Sequence, residues 1–246
     1  MQIFYAPDIS IRPELPEEEA RHALRTLRLG EGSEIMIADG RGAFYKAVIL
    51  NPNPKHCQVS IAERIEQPPL WNFHLHIAIA PTKNIDRTEW FCEKATEIGI
   101  DAITFLDCRF SERHEVKIPR LEKILVSAMK QSVKATAPKL TGMTDFGAFI
   151  RQPFQGNAFI AHCAEGVKPL LQHACHPRIA TLILIGPEGD FSPGEISEAV
   201  DCGFRAVSLG NSRLRTETAA LAACHTLHIV NYDFPAKGLP LVAELR

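Results

Sequence analysis

The stretch Thr181–Ala220, TLILIGPEGDFSPGEISEAVDCGFRAVSLGNSRLRTETAA, decides how the rest of the chain is read. Thr181–Ile185 and Ala206–Leu209 are short apolar runs, each followed at once by a glycine, Gly186 or Gly210. A polar loop and a helix signal come after each. The pattern predicts two strands that deliver the loops GPEGDFS and GNSRLRTET. If the two strands are parallel neighbours, both loops leave from one edge of the sheet. Backbone N–H groups and helix starts converge at such an edge, which is where open α/β sheets bind ligands.

The two loops differ in chemistry. In GPEGD, Pro187 stiffens the turn, and Gly186 and Gly189 either admit a ligand close to the backbone or merely turn the chain into the next helix. No Lys-Ser/Thr pair follows, so this is not a nucleotide P-loop, and no G-x-G-x-x-G follows any predicted strand. In LGNSRLRTETA, Leu209 and Leu214 bracket polar residues and suit a flat apolar ring, whose edge backbone groups could meet. Arg213 and Arg215 are two cations that suit an anionic partner such as a phosphate or carboxylate. Thr216 or Thr218 suits capping of the last helix, with Glu217 in its first turn.

The totals bound the class. The chain has 246 residues, 46% hydrophobic and 23% charged, an ordinary globular composition. Its net charge of −2 supplies no global positive field, so any nucleic-acid contact must come from a local patch. Seven cysteines, odd in number and without a C-x-x-C pair, read as reduced thiols in a cytoplasmic protein. The group Cys163, His173, Cys175 and His176 lacks a known ligand spacing, so no metal is expected. MQIFYAPDIS lacks the basic start and apolar core of a signal peptide, and no apolar run approaches membrane-spanning length, so no membrane partner is expected.

Residues 1–68 read as a separate β-rich unit. Ile3–Tyr5, Glu34–Ala38, Phe44–Leu50 and Gln58–Glu63 are predicted strands separated by DGRG and NPNPK turns, with one helix over Glu17–Arg28 stopped by Gly30. This unit is not basic, with 10 Asp/Glu against 8 Lys/Arg over residues 1–66. Arg21, Arg25 and Arg28 are spaced to share one helix face, either as a solvated surface or as a cationic patch. Arg12 and Arg41 could join them from loops. Gln67-Pro68-Pro69 marks the linker.

From residue 72 to 246 strand and helix alternate, which predicts a mostly parallel sheet covered by helices. Phe73–Ala80 is a strand, followed by a helix over Asp86–Ile98 with a capping-box start at Asp86 and Glu89 and a stop at Gly99. Ala102–Leu106 is a strand, and Arg109, Arg113 and His114 lie in the loop after it. A long helix runs from Pro119 to about Lys134. Phe159–Cys163 is a strand and Lys168–Cys175 a helix. Ser192-Pro193-Gly194-Glu195 starts the helix between the two opening strands, and Glu217–Val230 is the last helix.

LIGPEGDFSPGE and LGNSRLRTETAA closely resemble the two signature motifs of the bacterial small-subunit ribosomal RNA uracil-N3 methyltransferases, the RsmE family of the SPOUT superfamily. The likeness extends over nearly the whole chain. RHALRTLR at 21–28 resembles the family's N-terminal helix motif. Lys83 with KATEIGI at 94–100 resembles its first catalytic-domain helix, and Gln131-Ser132 with Pro138 the motif on its long helix. Three positions depart. Asp190 stands where the family usually has a second glycine, and Lys130 and Lys134 stand where it has glutamate and arginine.

The resemblance implies an α/β fold: a C-terminal parallel sheet tied in a deep trefoil knot, with an N-terminal PUA-like β-barrel. It implies S-adenosylmethionine as cofactor, held by Leu184, Gly186, Pro187, Glu188 and Gly189, by Leu209, Gly210, Leu214 and Thr218, and by a third contact near His162. It implies a homodimer acting on 16S ribosomal RNA within the small ribosomal subunit. The alanine-rich helix over 218–230 suits either such an interface or the chain's own core. Methylation at N3 requires loss of a proton. Arg215 is the expected stabiliser of the uracil anion and Glu217 the expected helper in removing the proton. Arg12, Arg21, Arg25, Arg28, Arg109 and Arg113 are the expected RNA contacts. Ribose 2′-O methylation of transfer RNA and a non-enzymatic RNA-binding assembly factor remain alternatives.

Overall fold

The computed structural model describes residues 2–232. The last part of the expected second domain, residues 233–246, lies outside the described residues. Two compact units are present. Of the described residues, one comprises the chain up to Leu70 together with Val126–Ala137; the other comprises Trp71–Leu125 and residues 138–232.

Short strands and tight turns build the first unit. β1 (Ile3–Tyr5), β2 (Glu14–Leu15), β3 (Glu34–Ala38), β4 (Ala43–Asn51) and β5 (Cys57–Glu66) form a five-stranded, barrel-like sheet in the order β1-β3-β4-β5-β2. Phe4, Ile9, Leu15, Ile37, Tyr45 and Ile49 fill its core. The β3–β4 turn rests on Asp39, whose Oδ1 accepts from the N–H of Arg41 at 2.7 Å and of Ala43 at 3.1 Å. α1 (Glu17–Arg21) passes into a wider π-type turn over His22–Thr26, so the helix is shorter than its periodicity predicts. Leu29 N–H reaches back to the Ala23 carbonyl at 3.0 Å, and Arg28 sits at φ 57°. Arg28, not Gly30, therefore takes the left-handed stop position. Arg21, Arg25 and Arg28 are all exposed, but they do not lie on one α-helical face.

The second unit alternates β6 (Leu75–Ile79), α2 (Ile85–Ile98), β7 (Ala102–Asp107), α3 (Ile118–Gln131), β8 (Lys139–Asp145), α4 (Phe146–Ile150), β9 (Asn157–Ala161), α5 (Leu171–Ala174), β10 (Thr181–Ile185), α6 (Pro193–Asp201), β11 (Arg205–Val207) and α7 (Thr216–Val230). The last turns of α3 count with the first unit. Six parallel strands lie in the order β11-β9-β10-β6-β7-β8. The expected neighbours β10 and β11 are not adjacent. β9 pairs with both, Phe159 opposite Ile183 on one side and opposite Arg205 on the other. The ends of three strands, rather than two, thus converge.

Every residue of β10 is buried, as a strand covered on both faces requires. Side chains alternate between two cores. Ile183 and Ile185 join Ile77, Ile79, Phe91 of α2 and Ala220, Ala223, Cys224 and Leu227 of α7. Leu182 and Leu184 join Phe146 and Phe149 of α4, Phe191, and Ala199 of α6. The alanine face of α7 is therefore consumed inside the chain's own core. Asn84 rather than Asp86 caps α2, accepting from Asp86 N–H at 3.1 Å. Ser192 and Glu195 form the expected capping box on α6.

One half-buried group makes this sheet sensitive to acid. His76 on β6 lies with Nε2 2.9 Å from Thr104 Oγ1 and its ring edge against Phe149. Burial pushes its pKa from 6.5 down to about 4, and the charges of His74 and Lys139 add to the shift. The folded state therefore keeps His76 neutral. The stability this brings is complete above 6.5 and is lost as pH falls toward about 4. The thermal unfolding midpoint is expected to fall across that window, and His76→Gln to flatten the fall. An unchanged slope in the variant would contradict the assignment.

Candidate cofactor site at the strand ends

A cavity of about 910 Å³ opens at the carboxyl ends of β9, β10 and β11. Three segments line it: Ala161–Gly166 with Lys168, Ile185–Glu188 with Asp190, and Val207–Thr216 with Ala219. Ile185, Val207, Leu209, Leu214 and Ala219 supply an apolar wall; Arg213, Arg215 and Lys168 supply cations. A mostly apolar cleft with a few convergent polar groups is the usual form of a small-molecule site.

The loop after β10 is shaped by close packing. A Cβ on Gly186 would come within 3.1 Å of the Phe191 ring and 3.2 Å of its backbone nitrogen. One on Gly189 would come within 3.1 Å of Phe110 Cβ, on the loop after β7. Three carboxylates then tie neighbouring loops down. Glu188 Oε1 accepts from Lys83 N–H at 3.0 Å, and Glu195 Oε1 accepts from Arg109 N–H at 2.8 Å. Asp190 Oδ2 accepts from Cys163 N–H at 2.7 Å. Charged acceptors make these bonds stronger than neutral ones.

Of the expected cofactor residues, His162, Gly186, Pro187, Glu188, Leu209, Gly210 and Leu214 line this one cavity. Leu184, Gly189 and Thr218 do not. Leu184 points the other way because strand side chains alternate, and it packs in the core beneath α6. Gly189 faces Phe110. Thr218 is exposed on α7, where Thr216 and Ala219 line the cavity instead. Neither threonine caps α7: Arg215 holds the N-cap position and no side chain bonds the first turn. The open N–H groups of that turn favour an anionic group beside them.

The charged residues are placed unevenly. Arg213 and Arg215 are exposed and have no ion-pair partner among the described residues. Glu217 does not line the cavity. It is 7% exposed, its Oε1 lies 3.8 Å from Arg87 Nε of α2, and its Oε2 is buried without a hydrogen bond among the described residues. His162 carries a buried Nδ1, also without a partner. Burial and then the Lys168 charge hold its pKa below the usual imidazole value, with Asp190 opposing them. A neutral ring with an unmet polar atom on a cavity wall suits a polar ligand.

The expected RNA contacts divide likewise. Arg113 is turned inward, donating from Nε to the Thr82 carbonyl at 3.0 Å and from Nη2 to that of Lys83 at 2.6 Å. Its guanidinium holds the loop before α2 and is not displayed to a partner. Arg109 is exposed. In the first unit, Arg12 pairs with Glu14 at 2.9 Å and Arg21 pairs with Glu17. Arg25 and Arg28 carry no such pair among the described residues. Lys130 pairs with Glu19, and Lys134 is buried. The carboxylate loop-ties and the Arg87 contact are not legible in the sequence, because their partners are backbone groups or lie far along the chain. Among the described residues, no three His, Cys, Asp or Glu side chains are grouped to hold a metal, and no helix is long and apolar enough to cross a membrane.

This fold and cavity define an RNA methyltransferase with a PUA domain. A model of the RNA methyltransferase domain matches residues 69–228, and one of the RNA methyltransferase PUA domain matches residues 15–62. The ribosomal RNA small subunit methyltransferase E of Mesomycoplasma hyopneumoniae is 30% identical over 207 residues, 80% of this chain and 86% of that one. The crystal structure of a probable rRNA-methyltransferase from Porphyromonas gingivalis is 43% identical, with a TM-score of 0.89 over 94% of this chain and 98% of that one. That of a ribosomal RNA small subunit methyltransferase E from Neisseria gonorrhoeae, bound to S-adenosyl methionine, is 26% identical, with a TM-score of 0.83 over the same shares, 94% and 98%. The chain belongs to the ribosomal RNA small subunit methyltransferase E family.

Glu195 serves both the α6 cap and the loop after β7. Glu195→Ala is expected to lower the free energy of unfolding by about 1–2 kcal/mol. Urea unfolding measures it, and a loss within error of zero would contradict the double role.

Proposed function

We propose that the chain transfers a methyl group from S-adenosylmethionine to N3 of a uridine in small-subunit ribosomal RNA. The observation that supports this most is a cavity at three strand ends, lined by apolar side chains and by exposed cations. The fit to this cofactor rests on three features. Leu209 and Leu214 suit the faces of an adenine ring, the open first turn of α7 suits a carboxylate, and His162 has an unmet buried nitrogen. When bound, S-adenosylmethionine supplies an electrophilic methyl group on a positive sulfonium. The neighbouring family member of known structure that carries it supports the same choice.

The chain's own residues would then serve the acceptor. Uracil N3 becomes nucleophilic as its proton leaves and charge spreads to the flanking carbonyl oxygens. Arg215, exposed at the cavity and without an ion pair among the described residues, is suited to hold that charge. Glu217 was expected as proton acceptor, but its burial against Arg87 suits a residue that fixes the first turn of α7 and hence Arg215. Arg109, Arg25 and Arg28 are the exposed cations best placed to meet RNA phosphates. We further infer that the path from β11 back to α7 is knotted. Support comes from Leu170, whose backbone bridges to Ser208 after β11 while α7 packs with α5 and α2. A homodimer is inferred as well, favoured by the exposed Trp90 of α2 and Ile229 of α7.

Incubation of unmethylated small subunits with the protein and S-adenosylmethionine, followed by mass spectrometry of the RNA, tests the reading. One methyl on N3 of a uridine is expected; a ribose 2′-O methyl, or none, would overturn it. Arg215→Ala is expected to lower kcat by about 100-fold or more. Glu217→Gln is expected to retain most activity, whereas a proton acceptor would lose it.

A further inference from the structure

We propose that Asp190 is a positioning residue for the cofactor site, a carboxylate staple that sets the distance between two of its walls. Its backbone takes the left-handed conformation, φ 67°, which suits glycine better than other residues. The family pattern described above has glycine there. Aspartate tolerates this conformation when its short side chain bonds locally, and here one carboxylate oxygen does so while the other reaches a distant loop. Oδ1 accepts from Phe191 N–H at 2.8 Å, the next residue, and Oδ2 accepts from Cys163 N–H at 2.7 Å, across the cavity wall. The turn beneath is closed by Asp190 N–H donating to the Pro187 carbonyl at 2.9 Å.

The consequence follows from what each end holds. Cys163 lies two residues past β9, in a segment whose members from Ala161 to Gly166 line the cavity and are half-buried or exposed. Among the described residues, the only other side-chain hydrogen bond in that segment runs from Lys168 to the Ala164 carbonyl. Pro187 and Glu188 on the other side of the staple also line the cavity. A single carboxylate thus fixes the backbone that carries His162 against the backbone of the loop after β10. The remaining loops are fixed by Glu188 and Glu195, so the wall after β9 depends on Asp190 alone among the three carboxylates. Glycine at this position would satisfy the backbone and leave the staple out. The staple preorganises the cavity and touches neither the reacting atoms nor the acceptor, so its loss acts on cofactor affinity and leaves the chemical step.

Asp190→Gly separates the staple from backbone strain, because glycine is at ease at this φ. This inference rests on the cofactor reading above, and two measurements keep their failures apart. Hydrogen–deuterium exchange on the ligand-free protein needs no cofactor. The 161–166 segment is expected to exchange about tenfold faster in Asp190→Gly, with the thermal midpoint unchanged or raised. Calorimetry and steady-state kinetics with S-adenosylmethionine are expected to give about tenfold higher Kd and KM, with kcat at saturation within about threefold of wild type. Asp190→Asn, which tolerates the same backbone and keeps one acceptor oxygen, is expected to recover most of the affinity. If exchange and Kd in Asp190→Gly match wild type, the staple is refuted. If wild type binds no S-adenosylmethionine, the cofactor reading fails, and the exchange result still decides the staple.

Discussion

Parallel strands end with backbone N–H groups that the sheet no longer satisfies, and every loop leaving such an edge must find acceptors for them. In this chain three of those acceptors are carboxylates from one short segment. Glu188, Asp190 and Glu195 receive N–H groups from the loops after β6, β9 and β7. Ser192 and Glu195 close the helix start between them. The segment after β10 is thus the fixed point to which the other loops are tied. The cavity exists because these ties hold the loops at its walls and leave its interior lined by apolar side chains and unpaired cations.

The same economy explains which charges are available for function. Arg113 and Glu188 carry charge yet spend it on backbone groups. Glu217 is buried against Arg87. Arg213 and Arg215, which line the cavity, have no ion-pair partner among the described residues. A protein with a net charge of −2 therefore presents its cations where an anionic or partly anionic acceptor would meet the bound cofactor, rather than as a general field.

Much of this was legible in the sequence. Thr181–Ile185, Glu34–Ala38 and the Ser192 capping box carry strong local signals, and the structure places them as the pattern predicts. β8 and α4 were missed because KLTGMTD offers glycine and threonine in place of an apolar run; β8 is a half-exposed strand at the end of the sheet order. Whether β10 and β11 are adjacent is not legible in the sequence, since strand order is a property of crossovers that periodicity does not encode. The family resemblance implies Leu184 and Gly189 as cofactor contacts, whereas the Leu184 side chain faces a core and Gly189 a neighbouring loop. Spacing in sequence identifies a loop; the alternation of a strand decides which of its side chains reach the ligand.

The central claim is that the ends of β9, β10 and β11 together hold S-adenosylmethionine, leaving Arg215 free for the acceptor. A crystal structure grown with S-adenosylmethionine tests it most directly. Density for one molecule per chain is expected between His162, Pro187 and Leu214, with the Asp190 to Cys163 bond intact. Density elsewhere, or none beside strand ends closed off by side chains, would contradict it.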